Sequence, residues 1–380
     1  MNRFLTLFFL LTALVWLWRS RKALRALLDN PEIQPLLSTP ASLPDVSLLL
    51  AVRNEESNLR ACLERLLAQN YPSLEIIVIN DRSVDRTAEI LQEFAQAYPG
   101  RLRLLESPPL PQGWTGKNWA IHHGIPHAQG EWLLFTDADT RHEPWALTSA
   151  VTHAEKKGFD LVTLSPRCLT EGFWEKTLQP TAIGYLAHWF PFPQVNDPQN
   201  SLVFGNGQFF LIRKKVYHAL GGHEKVKGEL LEDFALVREA KKQGRRIQAA
   251  IGTQIYGTRM YDSFAGIWRG WRRIYLHAFE KNPLSLARRV VSTFTFSFLP
   301  FFLAVFLVSW FLTDPSGSLL LKSLVVLTLL GILCSAWKTY QVIGAKRRYA
   351  FLHPLAGLIL AGILADATWL AFHKKEAGWR

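Results

Sequence analysis

The stretch VSLLLAVRNEESNLRACLERLL, residues 46–67, decides how this chain is read. It opens on a short, nearly unbroken apolar run, the pattern of a strand buried on both faces. A polar cluster follows at once, Arg53, Asn54, Glu55 and Glu56. Then Leu59, Cys62, Leu63, Leu66 and Leu67 recur at the spacing of one helix face. A buried strand, a charged turn and an amphipathic helix in immediate succession point to an α/β architecture.

The pattern continues downstream. LEIIVIN (74–80) reads as a strand closed by NDRSVD (80–85), and DRTAEILQEFAQAY (85–98) reads as a helix. RLRLLES (101–107) and EWLLFTD (131–137) read as further strands, with a helix around Lys117–His127 between them. From about Asp45 to Gln254 the alternation predicts a mostly parallel sheet with helices on both faces. In such sheets ligands sit at the carboxyl ends of the strands. The acidic clusters RNEE (53–56), NDRSVD and DAD (137–139) all fall there, so they should converge on one edge.

The ends of the chain differ from its middle. Of 380 residues, 49% are hydrophobic and only 19% charged, against roughly a quarter charged in soluble domains. The apolar excess lies in Phe4–Trp18 and in the runs Val290–Leu312, Leu319–Trp337 and Tyr349–Phe372. The C-terminal runs approach or exceed the length of about 20 residues that a spanning helix needs. TDPSGS (313–318) and GAKRRY (344–349) read as the turns between them. We expect about four transmembrane helices: an N-terminal anchor over 1–26, a soluble region over 27–289 and C-terminal helices over 290–380. A cleaved signal peptide is disfavoured, because the basic residues follow the first apolar run and no small-residue cleavage site is evident.

Charge orients these helices. Arg19, Arg21, Lys22 and Arg25, then Arg288 and Arg289, then Lys346, Arg347 and Arg348 all fit one side. The positive-inside rule makes that side cytoplasmic. The expectation is a multi-pass protein of the cell membrane with its middle region in the cytoplasm; Lys374 and Lys375 would then fall on the far side. The net charge of +12 suits a surface resting on an anionic leaflet. No nucleic-acid recognition motif accompanies it. Cys62, Cys168 and Cys334 are scattered, with neither a disulfide framework nor a metal spacing.

Particular residues carry candidate chemistry. Asp137 and Asp139 are one position apart, and in an extended chain both side chains would share a face. Paired carboxylates make a hard-oxygen site for Mg²⁺ or Mn²⁺ that can also hold phosphate oxygens; turn or capping aspartates are the plainer reading of the motif alone. Asp81 could accept hydrogen bonds from a nucleobase or ribose, whereas Asp85 could cap the next helix. In GWTGKNWAIHHG (113–124), Lys117 beside a helix start suits a diphosphate, without the spacing of a P-loop. His122 and His123 are adjacent and do not share a helix face. In GELLEDFALVREAKKQG (228–244), Glu232 and Asp233 either complement a helix dipole or supply a general base. SFAGIWRGWRRIYLHAFEKNP (263–283) interleaves aromatic and basic residues like an interfacial helix, and Arg269 could reach a diphosphate. FWEKTLQPTAIGYLAHWFPFP (173–193) could be an interfacial segment that feeds a lipid acceptor. His142 reads as a loop residue or, less simply, a further ligand.

The ordered set RNEE, NDRSVDRT, DAD, LED and a Trp/Arg segment resembles the family 2 glycosyltransferases of GT-A fold, over about residues 45–275. LPQGWTGKNWA (110–120), LLFTDADT (133–140) and GNGQFFLIRKKVYHALGGHE (205–224) are similar to the membrane-bound branch that holds the diaponeurosporenoate and hopene-associated glycosyltransferases. The resemblance implies a nucleotide-diphosphate sugar donor, most often a UDP-sugar. It implies that Asn54, Glu55, Asp81, Lys117, Asp137 and Arg269 contact the donor, and that Asp137 and Asp139 hold the metal. It makes Asp233, with Glu232 beside it, the catalytic base of an inverting displacement onto a lipid such as a carotenoid or hopanoid. The family's Q-x-x-R-W motif would fall on Gly266, Arg269 and Gly270, so its Gln and Trp are missing and Trp271 is one position late. That departure argues against processive polymer synthesis. A polyprenyl-phosphate or ceramide-type sugar transferase is the alternative within the class; a non-catalytic sugar-nucleotide-binding membrane protein is the alternative outside it.

Overall fold

The computed structural model describes residues 2–313 and 318–374. They divide into two compact units. One contains residues 30–167 and 190–259; the other contains 1–29, 168–189 and 260–380. The segments 168–189 and 260–289 thus group with the apolar helices rather than with the sheet.

The first unit is built on a seven-stranded sheet. The described strands in chain order are β1 (Val46–Val52), β2 (Leu74–Asn80), β3 (Leu102–Glu106), β4 (Trp132–Thr136), β5 (Thr140–His142), β6 (Leu161–Ser165), β7 (Arg167–Cys168), β8 (Phe210–Arg213), β9 (Ile247–Ile251) and β10 (Tyr256–Thr258), of which β5, β7 and β10 lie outside this sheet. The sheet runs β3-β2-β1-β4-β8-β6-β9. β1 pairs in parallel with β2 and β4, and β2 with β3. β8 alone is antiparallel to both its neighbours, β4 and β6. β1, β2 and β4 are buried almost throughout, which is why they read as continuous apolar runs. The reversal of β8 has a consequence for the site. It brings the loop that precedes β8 to the same edge as the carboxyl ends of β1, β2 and β4.

The helices follow from the same residues. Leu59–Leu67 buries the face formed by Leu59, Cys62, Leu63, Leu66 and Leu67. Gly116–Gly124 starts behind Thr115, whose hydroxyl accepts from the Asn118 N–H. Glu232–Lys242 carries its two acids in the first turn and two lysines in the last, as the helix dipole favours.

Two local expectations change. Asp137–Asp139 is a turn, not a continuation of the strand. The chain leaves β4 at Thr136 and re-enters β5 at Thr140, whose amide and hydroxyl both donate to the Asp137 carbonyl, at 3.3 and 2.7 Å. His142 is neither a loop residue nor a ligand. It lies in β5, 1% exposed, packed against the rings of Phe209 and Tyr256. Its Nε2 is 2.9 Å from Thr136 Oγ1, and burial pushes its pKa down to about 3, so it stays neutral.

The second unit is helical. Four of its helical stretches are long and apolar enough to cross a membrane: Arg3–Arg21, Pro283–Val308, Leu319–Val342 and Arg347–Phe372. The second begins earlier than its apolar run suggests, because Pro283–Thr293 continues through a π-helical turn at Phe294–Phe298 into Leu299–Thr313. The turn expected next lies at 314–317, outside the described residues. Leu5, Phe9, Ala304, Leu307, Leu321 and Val325 form a shared apolar cluster, and Thr328 donates to the Phe9 carbonyl.

The aromatic helix Phe264–Ala278 is less interfacial than its sequence suggests. Trp271 Nε1 donates to Gln179 Oε1 at 2.6 Å, and Tyr275 OH to the Ala182 carbonyl at 2.9 Å. These rings are buried against Phe173–Trp189, because a buried Trp or Tyr needs a partner for its polar tip. Trp268 Nε1 and Arg272 Nη1 both donate to Asp366 Oδ2, at 2.8 and 3.1 Å. The carboxylate on the last apolar helix is therefore paired inside the unit.

Candidate active site

The acidic motifs meet around one lysine. The Lys117 ammonium lies 2.7 Å from Asp137 Oδ1 and 2.8 Å from Glu232 Oε1. It joins the turn after β4 to the helix Glu232–Lys242. Burial alone would lower its pKa, but the two carboxylates outweigh burial and hold it above the ordinary lysine value. Lys117 stands at the second position of its helix because Asn118 fixes that end. The buried Asn118 amide donates to three carbonyls, those of Val226, Lys227 and Glu229, at 2.9, 3.2 and 3.0 Å. One side chain thus ties the start of the lysine's helix to the loop that leads into Glu232.

Asp233 is held differently. Gly207 N–H donates to its Oδ2 at 2.7 Å, and its own helix contributes Phe234 N–H to Oδ1 at 2.8 Å. Both oxygens are oriented by main chain, yet the residue is only half-buried. Burial first, then the Glu232 charge, raise its pKa to about 7. A carboxylate so poised can take a proton near neutrality.

Asp139 faces the same region. Gln208 Nε2 reaches its two oxygens at 3.5 and 3.4 Å, long for hydrogen bonds. Burial, then the charges of Asp137 and Glu55, push its pKa up to about 8. Among the described residues no set of three or more His, Cys, Asp or Glu side chains is spaced to hold a metal. Asp137 and Asp139 are a two-carboxylate, hard-oxygen set at the turn after β4. That suits a divalent cation completing its shell with oxygens from a bound ligand.

The ends of β1 and β2 supply the other wall. Asp81, 3% exposed, pairs with Arg82 at 2.6 Å, with Arg53 3.9 Å away. A Cβ on Gly116 would come within 2.4 Å of Asp81 Oδ2, so only glycine lets the helix start this close to the carboxylate. Asn54 laces the two strand ends together. Its Oδ1 accepts from Val84 N–H, and its own N–H donates to Ser83 Oγ. Glu55 accepts from Asn58 Nδ2. Asp85 has the plain role, accepting from the backbone N–H of Thr87 and Glu56.

The sheet unit therefore gathers Asn54, Glu55, Asp81, Lys117, Asp137, Asp139, Glu232 and Asp233 at one edge. Arg269 is not among them; it is exposed on the helix Phe264–Ala278 of the other unit. Sequence reasoning singled out 205–224 as part of the resemblance but gave the segment 205–208 no role in the site. A Cβ on Gly205 would sit 2.4 Å from the Asp233 carbonyl carbon, and one on Gly207 would sit 2.9 Å from Lys117 Nζ. Asn206 anchors the loop through its Nδ2 to the Leu164 carbonyl and Tyr256 OH. Two glycines one residue apart before a strand were the available signal.

Comparison with known proteins places this geometry. Residues 47–221 match the family model "Glycosyl transferase family 2". Over 232 residues the chain is 25% identical to 4,4'-diaponeurosporenoate glycosyltransferase of Staphylococcus aureus (strain USA300), covering 60% of each protein. It is 30% identical over 218 residues to "Probable glycosyltransferase YdaM" of Bacillus subtilis (strain 168), covering 54% of this chain and 49% of that one. The chain thus spans between about half and two thirds of the length of these relatives. Among solved structures, a mannosyltransferase from Pyrobaculum calidifontis, in complex with GDP-Man and Mn²⁺, aligns over 99% of both chains with a TM-score of 0.52 and 18% identity. The fold is the GT-A fold expected from the sequence.

The two glycines predict different costs. Gly205→Ala drives a methyl into main chain and should lower stability by about 2 kcal/mol. Gly207→Ala meets the far end of a flexible lysine and should cost less. Thermal unfolding of the full chain in detergent checks the order; a Gly205→Ala protein as stable as the parent contradicts it.

Proposed function

We propose that this chain, which carries a family 2 glycosyltransferase segment at residues 47–221, moves a sugar from a nucleotide-diphosphate donor to a lipid hydroxyl or carboxyl. The observation that carries the reading is the placement of Asp233. It is oriented by two backbone N–H groups, tuned toward neutrality, and adjacent in sequence to a glutamate bound to the lysine that also holds Asp137. A scaffold or sensor needs no such base.

In this reading Asp233 accepts the proton of the acceptor while the acceptor oxygen attacks the anomeric carbon. The bond to the diphosphate breaks on the opposite face, and the configuration inverts. Glu232 acts through Lys117, as a positioning residue, rather than as a second base. Asp81 and the Asn54–Glu55 turn form the side that would take the nucleoside, and Lys117 lies where a diphosphate would gain a cation. Asp137 and Asp139 would hold Mg²⁺ or Mn²⁺, which when bound neutralises a leaving diphosphate. We assign no donor role to Arg269 within the sheet unit.

A UDP-sugar and an isoprenoid acceptor, carotenoid or hopanoid, are the finer form of this proposal. Their support is the likeness to a relative named for a carotenoid acid. The apolar helices and the basic residues flanking them support insertion in the cell membrane with the sheet unit on the cytoplasmic side. Lys346, Arg347 and Arg348 precede the last of these helices.

Asp233→Asn should reduce transfer by at least about a hundredfold, the scale of a lost general base, with nucleotide binding retained. In the parent enzyme kcat/KM should rise with pH through about 7 and level off above it, because only the ionised carboxylate accepts a proton. Steady-state kinetics with isothermal titration of the nucleotide tests both; full activity in the variant, or a flat profile from pH 5 to 8, overturns the assignment. Dialysis against a chelator should stop turnover, and Mg²⁺ or Mn²⁺ should restore it. Persistent turnover in metal-free buffer would rule out the cation.

A further inference from the structure

The helical unit contains a buried cation with no acid beside it. Arg19, at the end of the first apolar helix, is 8% exposed. Its Nη2 donates to Ser292 Oγ at 2.7 Å. Its guanidinium lies 5.4 Å from the ring centres of both Trp16 and Phe296. Among the described residues no carboxylate pairs with it, and its Nη1 is buried without a hydrogen-bond partner.

A second unsatisfied group flanks the same indole. His353 packs edge-on against Trp16, ring centres 5.7 Å apart. It is 4% exposed, and its Nε2 also lacks a partner. Trp16 itself is pinned by its Nε1–H to the Phe296 carbonyl at 2.7 Å. Thr293, next to Ser292, is fully buried with its hydroxyl unpaired as well. Burying an uncompensated guanidinium costs several kcal/mol.

We infer that Arg19 and His353 form a binding site for the phosphate of an anionic membrane lipid. The guanidinium sits over the Trp16 and Phe296 rings, and its buried Nη1 is the donor that an oxygen would satisfy. Arginine suits phosphate through its fixed fork of donors. Arg19 lies near the end of the apolar stretch Arg3–Arg21 of the first helix, the level at which lipid headgroups lie. The ligand is a structural lipid holding the first helix to the helix that carries Ser292 and to His353. The site is independent of the proposed sugar transfer, so it stands or falls separately.

The test uses the full chain in detergent, with thermal unfolding followed as phosphatidylglycerol, phosphatidylcholine or inorganic phosphate is added. Phosphatidylglycerol should raise the midpoint of the parent protein more than phosphatidylcholine does, and inorganic phosphate should not reproduce the gain. Arg19→Met should weaken phosphatidylglycerol binding by about tenfold or more, the worth of one charge-assisted hydrogen bond. Arg21→Gln, at an exposed neighbour, should leave it unchanged. His353→Phe, which retains the guanidinium, should weaken it partially and serves if Arg19→Met does not fold. Equal losses in the Arg19 and Arg21 variants would reduce the effect to general surface charge and overturn the site. An equal gain with inorganic phosphate would overturn the lipid assignment.

Discussion

The Lys117 ammonium between Asp137 and Glu232 is the contact on which the candidate site depends. Without it, the acidic end of β4 and the acidic start of the helix Glu232–Lys242 would repel across a partly desolvated space. With it, the two motifs are fixed within one lysine's reach. The neighbours follow from that constraint. A Cβ on Gly207 would sit 2.9 Å from Lys117 Nζ, and the Gly207 N–H holds Asp233. Gly116 must be small because Asp81 lies against the turn where the lysine's helix begins. The lysine pairs with two carboxylates, while Gln208 Nε2 lies 3.5 and 3.4 Å from the two oxygens of Asp139.

The helical unit obeys a different rule. Where water is scarce, polar groups must find partners within the protein. Asp366 takes Trp268 and Arg272, Gln179 takes Trp271, and the Ala182 carbonyl takes Tyr275. The same rule makes Arg19 conspicuous. Among the described residues of this unit, Arg272 Nε and Arg289 Nε also lack a partner, but Arg19 is the more deeply buried side chain, 8% exposed.

The strands that were legible from sequence are those buried on both faces. β1 and β2 match their predicted bounds residue for residue, because continuous apolar runs have sharp polar ends. The clustering of acids at one edge was legible for the same reason. The turn at Asp137–Asp139 was not, since it depends on Thr140 capturing the Asp137 carbonyl. Nor was the role of Lys117: its partners come from distant segments, and only the tertiary fold brings them together. His142 looked like a loop residue because it follows a polar stretch; the three-residue strand β5 that buries it is too short to show a period. The antiparallel β8 carries no pattern of its own, yet it delivers the 205–208 loop to the site. Trp271 and Tyr275 looked interfacial because sequence shows an aromatic face but not what covers it.

In the proposed function the sheet edge activates a sugar for transfer to a lipid. The most direct measurement is to incubate the purified chain, in bilayers made from its host's lipids, with nucleotide-diphosphate sugars labelled in the sugar. The label should pass into the organic phase as a glycolipid of inverted anomeric configuration, with one nucleoside diphosphate released per sugar transferred. Release of nucleotide with all the label left in water, or no release from any donor, would contradict it.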